Sequence, residues 1–456
     1  MVPVQFEFPN ARMLCWRQTA MSGRKVLIAC AFMAIVQWPV TSRCQGAAGP
    51  PENLSLNQAV KIALANSPEL RAAQARVKQA KANVRIRKSG YYPQLSFNGI
   101  GKLGLSGATN GLGLLGLPAS PFFRNLSDAA NVNQNIFDFG QTRHSIKIAN
   151  GEVRAAESAL DEVRDRTAEQ ATVAFLKVLS LQSAIQVNEQ DLKERRQVER
   201  KAQEFFEVGL SSKLDFDLAK VGTSSAELAM ARSRAGENAA WTALFAALGR
   251  PEGGNYQLAE PQIELEAPAT LDVEIGQALA SRPDLMEMKA EIKAQEERVE
   301  YARSLRWPSL RAVFTGGYAR FAELTASQLM AGGLGVFAPI YAGGSLKAQI
   351  QAEESGLDAI RAEYSFKTLE IRKEVSRARA SEMKALNSAK ADQEIASYAE
   401  EALRLAQTRY DAQLISMVEL LAAESTAESA RVAYAQALYD YQIARTRLSS
   451  AIGLQP

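Results

Sequence analysis

Apolar and alanine positions recur at helical spacing along two very long stretches of this 456-residue chain. The first stretch runs without a proline from about Gln141 to Phe206, and Val153, Leu160 and Thr167 mark a seven-residue repeat within it. At 1.5 Å rise per residue, about 70 helical residues span roughly 100 Å. A helix of that length is too long for a globular core, so the sustained period indicates coiled-coil-like packing against neighbouring helices.

A short break interrupts this pattern at residues 206–215. Gly209 is suited to end a helix in the left-handed conformation, and the two serines and Asp215 that follow are suited to start a new helix. Helix-compatible sequence then continues to Gly249. We therefore predict a helical hairpin whose tip is Val208-Gly209-Leu210-Ser211.

The chain also contains its own repeat, because matching landmarks occur in the same order in its two halves. The matched landmarks are Ala63–Leu70 with Ala278–Leu285, Tyr92–Leu95 with Trp307–Leu310, Ile136–Gly140 with Ile340–Gly344, Asp215 with Glu419, and Leu248–Gly249 with Ile452–Gly453. Two halves of this size indicate a duplicated domain and not a solenoid array.

Each half begins with a helical segment and continues with two strand-like stretches, and three of these four stretches contain two or more glycines. Alternating apolar and polar positions favour strands at these places. We predict strands at Leu95–Leu105 and Ala130–Phe137 around a loop at Ser106–Ser127, and at Leu310–Phe321 and Leu329–Tyr341 around a loop at Ala322–Gln328.

The resulting domain organisation has four parts. Residues 1–48 are predicted to be an N-terminal extension and signal peptide, and residues 251–270 a linker on the outside of the body. The first repeat spans residues 49–250 and has a β-hairpin at about 94–138. The second repeat spans residues 271–456 and has a β-hairpin at about 309–342 and a second tip at 410–419.

The N-terminus has the features of a secretory signal. An apolar run at residues 26–40 follows Arg24-Lys25, and small residues at 46–48 offer a cleavage site. Met21 precedes the basic pair, so we expect translation to start there. Simple cleavage is favoured over acylation of Cys44 or Cys30, since Arg43 stands where a lipoprotein signal needs a small residue.

Composition narrows the function further. Lys and Arg number 53 against 50 Asp and Glu, so no charge excess indicates a nucleic-acid partner. The three cysteines lie within the first 44 residues, and His144 is the only histidine. We therefore expect no disulfide framework, no metal site, no cofactor and no enzymatic activity.

Four strands are too few to close a membrane barrel, because the smallest such barrels have eight. Three copies supply twelve strands. The predicted fold is a mixed α and β membrane protein in which four strands per chain contribute to a twelve-stranded β-barrel and the long helices of three copies form a matching hollow α-barrel. The alternative is a periplasmic coiled-coil adaptor or structural protein without a barrel, which leaves the two glycine-rich hairpins unexplained.

The duplicated order, the corners Phe137-Asp138-Phe139-Gly140 and Tyr341-Ala342-Gly343-Gly344, and the hairpin tips resemble the TolC-type outer membrane factors from about Leu54 to Leu454. The resemblance implies a homotrimeric channel-tunnel, with a twelve-stranded β-barrel in the outer membrane and a trimeric α-barrel that extends into the periplasm. It also implies partners: outer-membrane lipid, a periplasmic adaptor protein and an inner-membrane pump of a tripartite efflux or type I secretion system.

The resemblance further implies roles for the two tips. Val208, Gly209, Leu210 and Ser211 match the typical adaptor-contacting tip, and the second tip comprises Ala412, Gln413, Leu414, Ile415 and Ser416. Because Gln413 replaces the glycine, we expect a different turn and non-equivalent contacts there. Tyr410 is similar to the family's gating tyrosine with Asp215 as its hydrogen-bond partner, and Glu419 is similar to an acidic residue that faces the pore. The family's gating arginine and second acidic residue are replaced by Ile415 and Ala422.

Overall fold

The computed structural model describes residues 52–105, 122–250, 254, 256–267, 269–320 and 327–454. The predicted signal peptide, start site and acylation lie outside these ranges. Among the residues that the structure describes, no helix is both long enough and apolar enough to cross a lipid bilayer.

The two halves follow the same order of elements. The first half contains β1 (Glu52–Leu54), α1 (Leu56–Asn66), α2 (Pro68–Lys88), β2 (Gln94–Leu105), β3 (Phe122–Phe137), α3 (Gln141–Glu207) and α4 (Lys213–Ala247). The second half contains β4 (Tyr256–Leu258), α5 (Leu271–Ser281), α6 (Pro283–Ser304), β5 (Ser309–Arg320), β6 (Ser327–Phe337), α7 (Ser345–Asp411) and α8 (Met417–Ile452).

Local sequence sets where helices α1, α2 and α6 begin. The Ser55 hydroxyl accepts a hydrogen bond from the Gln58 N–H, and the Gln58 side chain accepts one from Ser55 N–H in return. Pro68 and Pro283 each occupy the first turn of the next helix, where the missing N–H has no partner to lose. These starts set the direction in which α2 and α6 approach the sheet.

Strands β2, β3, β5 and β6 form one antiparallel sheet in that order, so that β2 and β6 are its edges. The two predicted hairpins are therefore joined through β3 and β5, with Ala130 opposite Gly316. Strand β3 begins at Phe122, within the predicted loop, because its pairing with β2 continues to Leu105. Strand β6 ends at Phe337, and Ile340 and Tyr341 follow it outside the sheet.

The long helices dominate the rest of the chain. Helices α3 and α7 each have 67 residues, which corresponds to roughly 100 Å. Helix α3 packs against α4, and α7 packs against α8. The α3 and α8 helices also contact each other, which joins the two helical hairpins. Towards the tips the core consists largely of alanine, which lets the helix axes approach closely; its alanines are Ala202, Ala219, Ala396, Ala399, Ala427 and Ala430.

The segment between the halves is packed more closely than a loose external linker. Strand β4 pairs in parallel with β1, and Leu258 is buried against α3 and α4. The Tyr441 hydroxyl donates to the Glu266 carbonyl at 2.9 Å and lies 3.2 Å from the Glu266 N–H. Most of the segment is nevertheless exposed, as expected of a linker on the outside of the body, and Leu258 anchors it in a hydrophobic core to which both halves contribute.

Candidate functional site: the helix tips

The first tip is a Schellman turn followed by a capped helix. Gly209 adopts φ 78°, in the left-handed region, and its N–H donates to the Phe206 carbonyl at 3.0 Å. The Leu210 N–H donates to the Phe205 carbonyl at 2.7 Å. These two bonds satisfy carbonyls that the end of α3 would otherwise leave without partners. A β-carbon at Gly209 would have open space around it.

The second tip has the same turn, which corrects the expectation that Gln413 would change it. Gln413 adopts φ 58°, and its N–H donates to the Tyr410 carbonyl at 2.8 Å. The Leu414 N–H donates to the Arg409 carbonyl at 2.8 Å. Glutamine therefore occupies the position of Gly209 at a conformational cost of about 1–2 kcal/mol, the usual cost of the left-handed conformation for a residue with a β-carbon.

The acidic residues after the tips cap the helices that follow. Asp215 accepts hydrogen bonds from the Ser212 N–H at 3.0 Å and from the Ser212 hydroxyl at 2.8 Å. Glu419 accepts the equivalent bonds from Ser416 at 2.8 and 3.1 Å. The hydrogen bonds from Ser416 lower the pKa of Glu419. Both carboxylates therefore have a structural role at the start of α4 or α8 in addition to any role in a pore.

Tyr410 is buried at the end of α7, but it does not form the hydrogen bond to Asp215 that the sequence suggested. Its ring lies 6.4 Å from the ring of Phe205, between centroids. Burial raises the pKa of Tyr410, and the negative charge of Asp215 raises it further. The two groups are thus neighbours, and no hydrogen bond joins them within the described ranges, because the Asp215 carboxylate is oriented towards Ser212.

Apolar side chains at both tips are turned outward. Val208, Leu210 and Leu214 are 69%, 61% and 65% exposed at the first tip. Leu414 and Val418 are 75% and 60% exposed at the second. Of the other predicted contact residues, Ala412 is the last residue before the turn, Ser416 caps α8, Ser211 lies in the turn, and Ile415 packs against the alanine-rich core. Clustered exposed apolar groups at the end of a helical hairpin are typical of a protein-binding surface.

Sequence reasoning missed a buried ionic cluster behind the tips. Arg195 on α3 donates to Asp191 at 2.8 Å and to Glu428 on α8 at 2.9 Å, and its guanidinium lies 3.9 Å from Glu424. Arg431 joins the same region, with contacts to Glu194 on α3 and Glu400 on α7; these contacts measure 3.3 and 3.1 Å. Charged residues four apart on α3 and on α8 were the signal available in the sequence.

Glu424 is the least satisfied member of this cluster. Its side chain is 3% exposed, and both carboxylate oxygens lack a hydrogen-bond partner among the described residues. Burial raises the pKa of Glu424 to about 7, which outweighs the lowering effect of Arg195. The carboxyl therefore changes its charge near neutral pH, at the contact between the two helical hairpins. Within the described ranges, no group of three or more His, Cys, Asp and Glu side chains is arranged to hold a metal ion.

Comparison with known proteins agrees with this architecture. The profile of the family described as "Outer membrane efflux protein" matches residues 59–250 and 275–454. The outer membrane efflux protein BepC of Brucella suis biovar 1 (strain 1330) is 24% identical over 405 residues, which cover 88% of this chain and 85% of BepC. The pyoverdine export outer membrane protein OpmQ of Pseudomonas aeruginosa is 25% identical over 430 residues, covering 89% of this chain and 84% of OpmQ.

A solved structure shares the fold. The outer membrane protein VceC of Vibrio cholerae superposes with a TM-score of 0.74 at 20% identity, covering 87% of this chain and 96% of VceC. The family profile covers most of both halves, and the predicted TolC-type resemblance is confirmed. The chain belongs to the outer membrane efflux protein family, whose members are transport channels of the outer membrane and not enzymes.

Proposed function

We propose that three copies of this chain form one channel-tunnel, which serves as the passive exit duct of a tripartite efflux or type I secretion system. The observation that carries the proposal is the four-stranded sheet with β2 and β6 at its edges. Edge strands have unused hydrogen-bonding groups and pair readily with another edge. Three sheets joined edge to edge give twelve strands, which are enough to close a barrel.

The helical part supports the same assembly. Large apolar side chains on α4 and α7 are exposed in the single chain, among them Val221 at 62%, Phe366 at 63% and Leu369 at 65%. Neighbouring copies would cover these groups and complete a hollow helical barrel. The tunnel would then run on from the sheet over the length of α3 and α7.

The experiment measures the assembly and its conductance together. Purified protein in detergent should have the mass of three chains by native mass spectrometry and should form conducting pores in planar bilayers. A monomer without conductance would refute the proposal. A trimer without conductance would favour a structural coiled-coil protein.

We also propose that the tips bind a periplasmic adaptor, which in turn connects to an inner-membrane pump. The exposed side chains of Leu210 and Leu414 are the contacts that support this proposal. Leu210→Asp or Leu414→Asp should abolish efflux and leave the trimer intact. Leu210→Met and Leu414→Met are the matched controls, because each keeps an apolar side chain of similar volume at the same position. Normal efflux from both aspartate variants would contradict docking at the tips.

Tyr410, Asp215 and Glu419 are proposed to surround the pore constriction near the tips. Three copies of the two carboxylates would make a negatively charged ring that favours cations. Asp215→Asn with Glu419→Gln should therefore lower the cation selectivity measured from the reversal potential in a salt gradient. Ser212→Ala is the control, because it removes a helix cap and leaves every carboxylate. An unchanged reversal potential in the double variant would contradict the assignment.

A further inference from the structure

A pocket lies where helix α6 ends and helix α7 begins. Its lining includes Arg303, Arg306, Trp307, Lys347 and Glu354. Trp307 is two residues before the start of β5, and Lys347 is in the first turn of α7. The pocket therefore lies at the junction between the helices and the sheet, and cations outnumber carboxylates in its lining.

Two of its cations are free to bind a ligand. Arg303 is occupied, since it donates to Glu354 at 2.7 Å and to Glu300 at 2.8 Å. Arg306 and Lys347 are exposed, and neither makes an ion pair within the part of the chain that the structure describes. Two such cations beside one pocket suit the single negative charge of a phosphodiester.

Trp307 is held in a fixed position beside these cations. Its ring stacks on Phe139 with 5.4 Å between centroids and an interplanar angle of 17°, although Trp307 is 57% exposed. Phe139 adopts φ 49°, a strained conformation for an aromatic residue, and its counterpart in the second half is Gly343. An exposed, fixed indole beside cations is typical of the boundary between lipid and water.

The adjoining sheet indicates where the boundary between lipid and water lies. Phe314, Leu334 and Val336 on β5 and β6 are 43%, 71% and 70% exposed, as expected of strands that face lipid. We propose that the pocket binds the phosphodiester headgroup of an anionic phospholipid, with Arg306 and Lys347 at the phosphate and Trp307 at the border of the acyl chains. This inference rests on the proposed function in one respect, namely that the sheet lies in the membrane.

The test is a lipid titration of the purified full-length protein in detergent, read by native mass spectrometry. Phosphatidylglycerol should bind in preference to phosphatidylcholine. Arg306→Gln with Lys347→Gln should weaken phosphatidylglycerol binding about 30-fold, because each cation near an anionic headgroup contributes about 1 kcal/mol to binding and about 1.4 kcal/mol corresponds to a tenfold change in affinity. Phosphatidylcholine binding should not change. Arg306→Lys with Lys347→Arg keeps both positive charges, so this variant should prefer phosphatidylglycerol as the wild type does.

Lys88→Gln with Arg143→Gln is the matched control, because it removes two exposed cations from the corresponding junction of the first half. An equal loss in the control would show diffuse attraction to charge and overturn the site. Equal binding of both lipids to the wild type would overturn it as well, and so would displacement by inorganic phosphate without preference for the lipid. Conducting trimers that show no phosphatidylglycerol preference would refute this inference alone, whereas absence of trimers would refute the proposed function.

Discussion

Replacing Glu424 by glutamine removes a buried charge and keeps the size of the side chain. Arg195 is the nearest cation, but it already donates to Asp191 and Glu428. The cluster thus contains more carboxylates than its guanidinium can satisfy, and Glu424 is the one without a hydrogen bond among the described residues. A neutral side chain is less costly to bury there, so we expect Glu424→Gln to stabilise the protein at alkaline pH.

The raised pKa of Glu424 determines how much free energy of unfolding the substitution should add. It rises from an ordinary 4.5 to about 7, and at about 1.4 kcal/mol for each tenfold step this difference corresponds to about 3 kcal/mol. The folded state binds this proton more tightly than the unfolded state, so the bound proton stabilises the wild type. This contribution is fully present below pH 4.5 and is lost as the pH rises to 7. Glu424→Gln should therefore gain about 3 kcal/mol above pH 7 and almost nothing below pH 4.5.

Hydrogen exchange of peptides from the start of α8 measures this effect locally. A gain of about 3 kcal/mol in the free energy of opening slows exchange roughly 150-fold at pH 8. The ratio of variant to wild type at each pH removes the intrinsic pH dependence of exchange. Glu428→Gln on the same helix is the contrasting variant, because it removes a bonded partner of Arg195 and should speed exchange at pH 8.

Two outcomes would refute the reasoning. Unchanged or faster exchange of Glu424→Gln at pH 8 would mean that the carboxylate is adequately compensated by Arg195. Slower exchange by the same factor at pH 4.5 and pH 8 would mean that the gain comes from packing and not from the removal of a charge.

Gln413→Gly should stabilise the second tip by about 1 kcal/mol, because glycine adopts the left-handed conformation without strain, and Gly209→Gln should destabilise the first tip by a similar amount. Hydrogen exchange of the tip peptides measures both effects. Exchange rates equal to those of the wild type would contradict the turn assignment. Tyr410→Phe should change the free energy of unfolding by less than about 0.5 kcal/mol because no hydrogen bond to Asp215 is lost, whereas Tyr410→Ala should lose about 3–5 kcal/mol; denaturant unfolding tests the pair, and a large loss in the phenylalanine variant would contradict it. Arg195→Met should destabilise by about 3–5 kcal/mol, since it leaves buried carboxylates unpaired; an unchanged unfolding midpoint would contradict burial of the cluster.

The repeat explains how much of the fold the sequence could predict. Matching landmarks such as Asp215 with Glu419 placed equivalent helices in both halves, and α3 and α7 indeed have equal lengths. Proline and glycine marked the helix starts and the first tip because their backbone preferences act locally. Strand β3 begins earlier than predicted because its first residues are specified by pairing with β2, which local sequence does not show.

The candidate site was less predictable for the same reason. The turn at Gln413 is set by two hydrogen bonds that override the residue's own preference against the left-handed region. The position of Tyr410 relative to Asp215 depends on how the α3–α4 hairpin packs against the α7–α8 hairpin, because the two residues belong to different hairpins. The ionic cluster around Arg195 joins residues more than two hundred positions apart, so only the tertiary fold brings them together.

An alanine-rich contact explains why an ionic cluster lies behind the tips at all. Small side chains such as Ala202 and Ala427 allow α3 and α8 to approach closely, but small side chains interdigitate less deeply than large ones and therefore specify the register less strongly. Arg195 and its carboxylate partners bond well in one register only, and any shift leaves buried charges unpaired at a cost of several kcal/mol. The cluster therefore specifies the alignment of the two helical hairpins. Because both hairpins end in the same turn, that alignment also fixes the relative positions of Leu210 and Leu414, the two adaptor contacts proposed above.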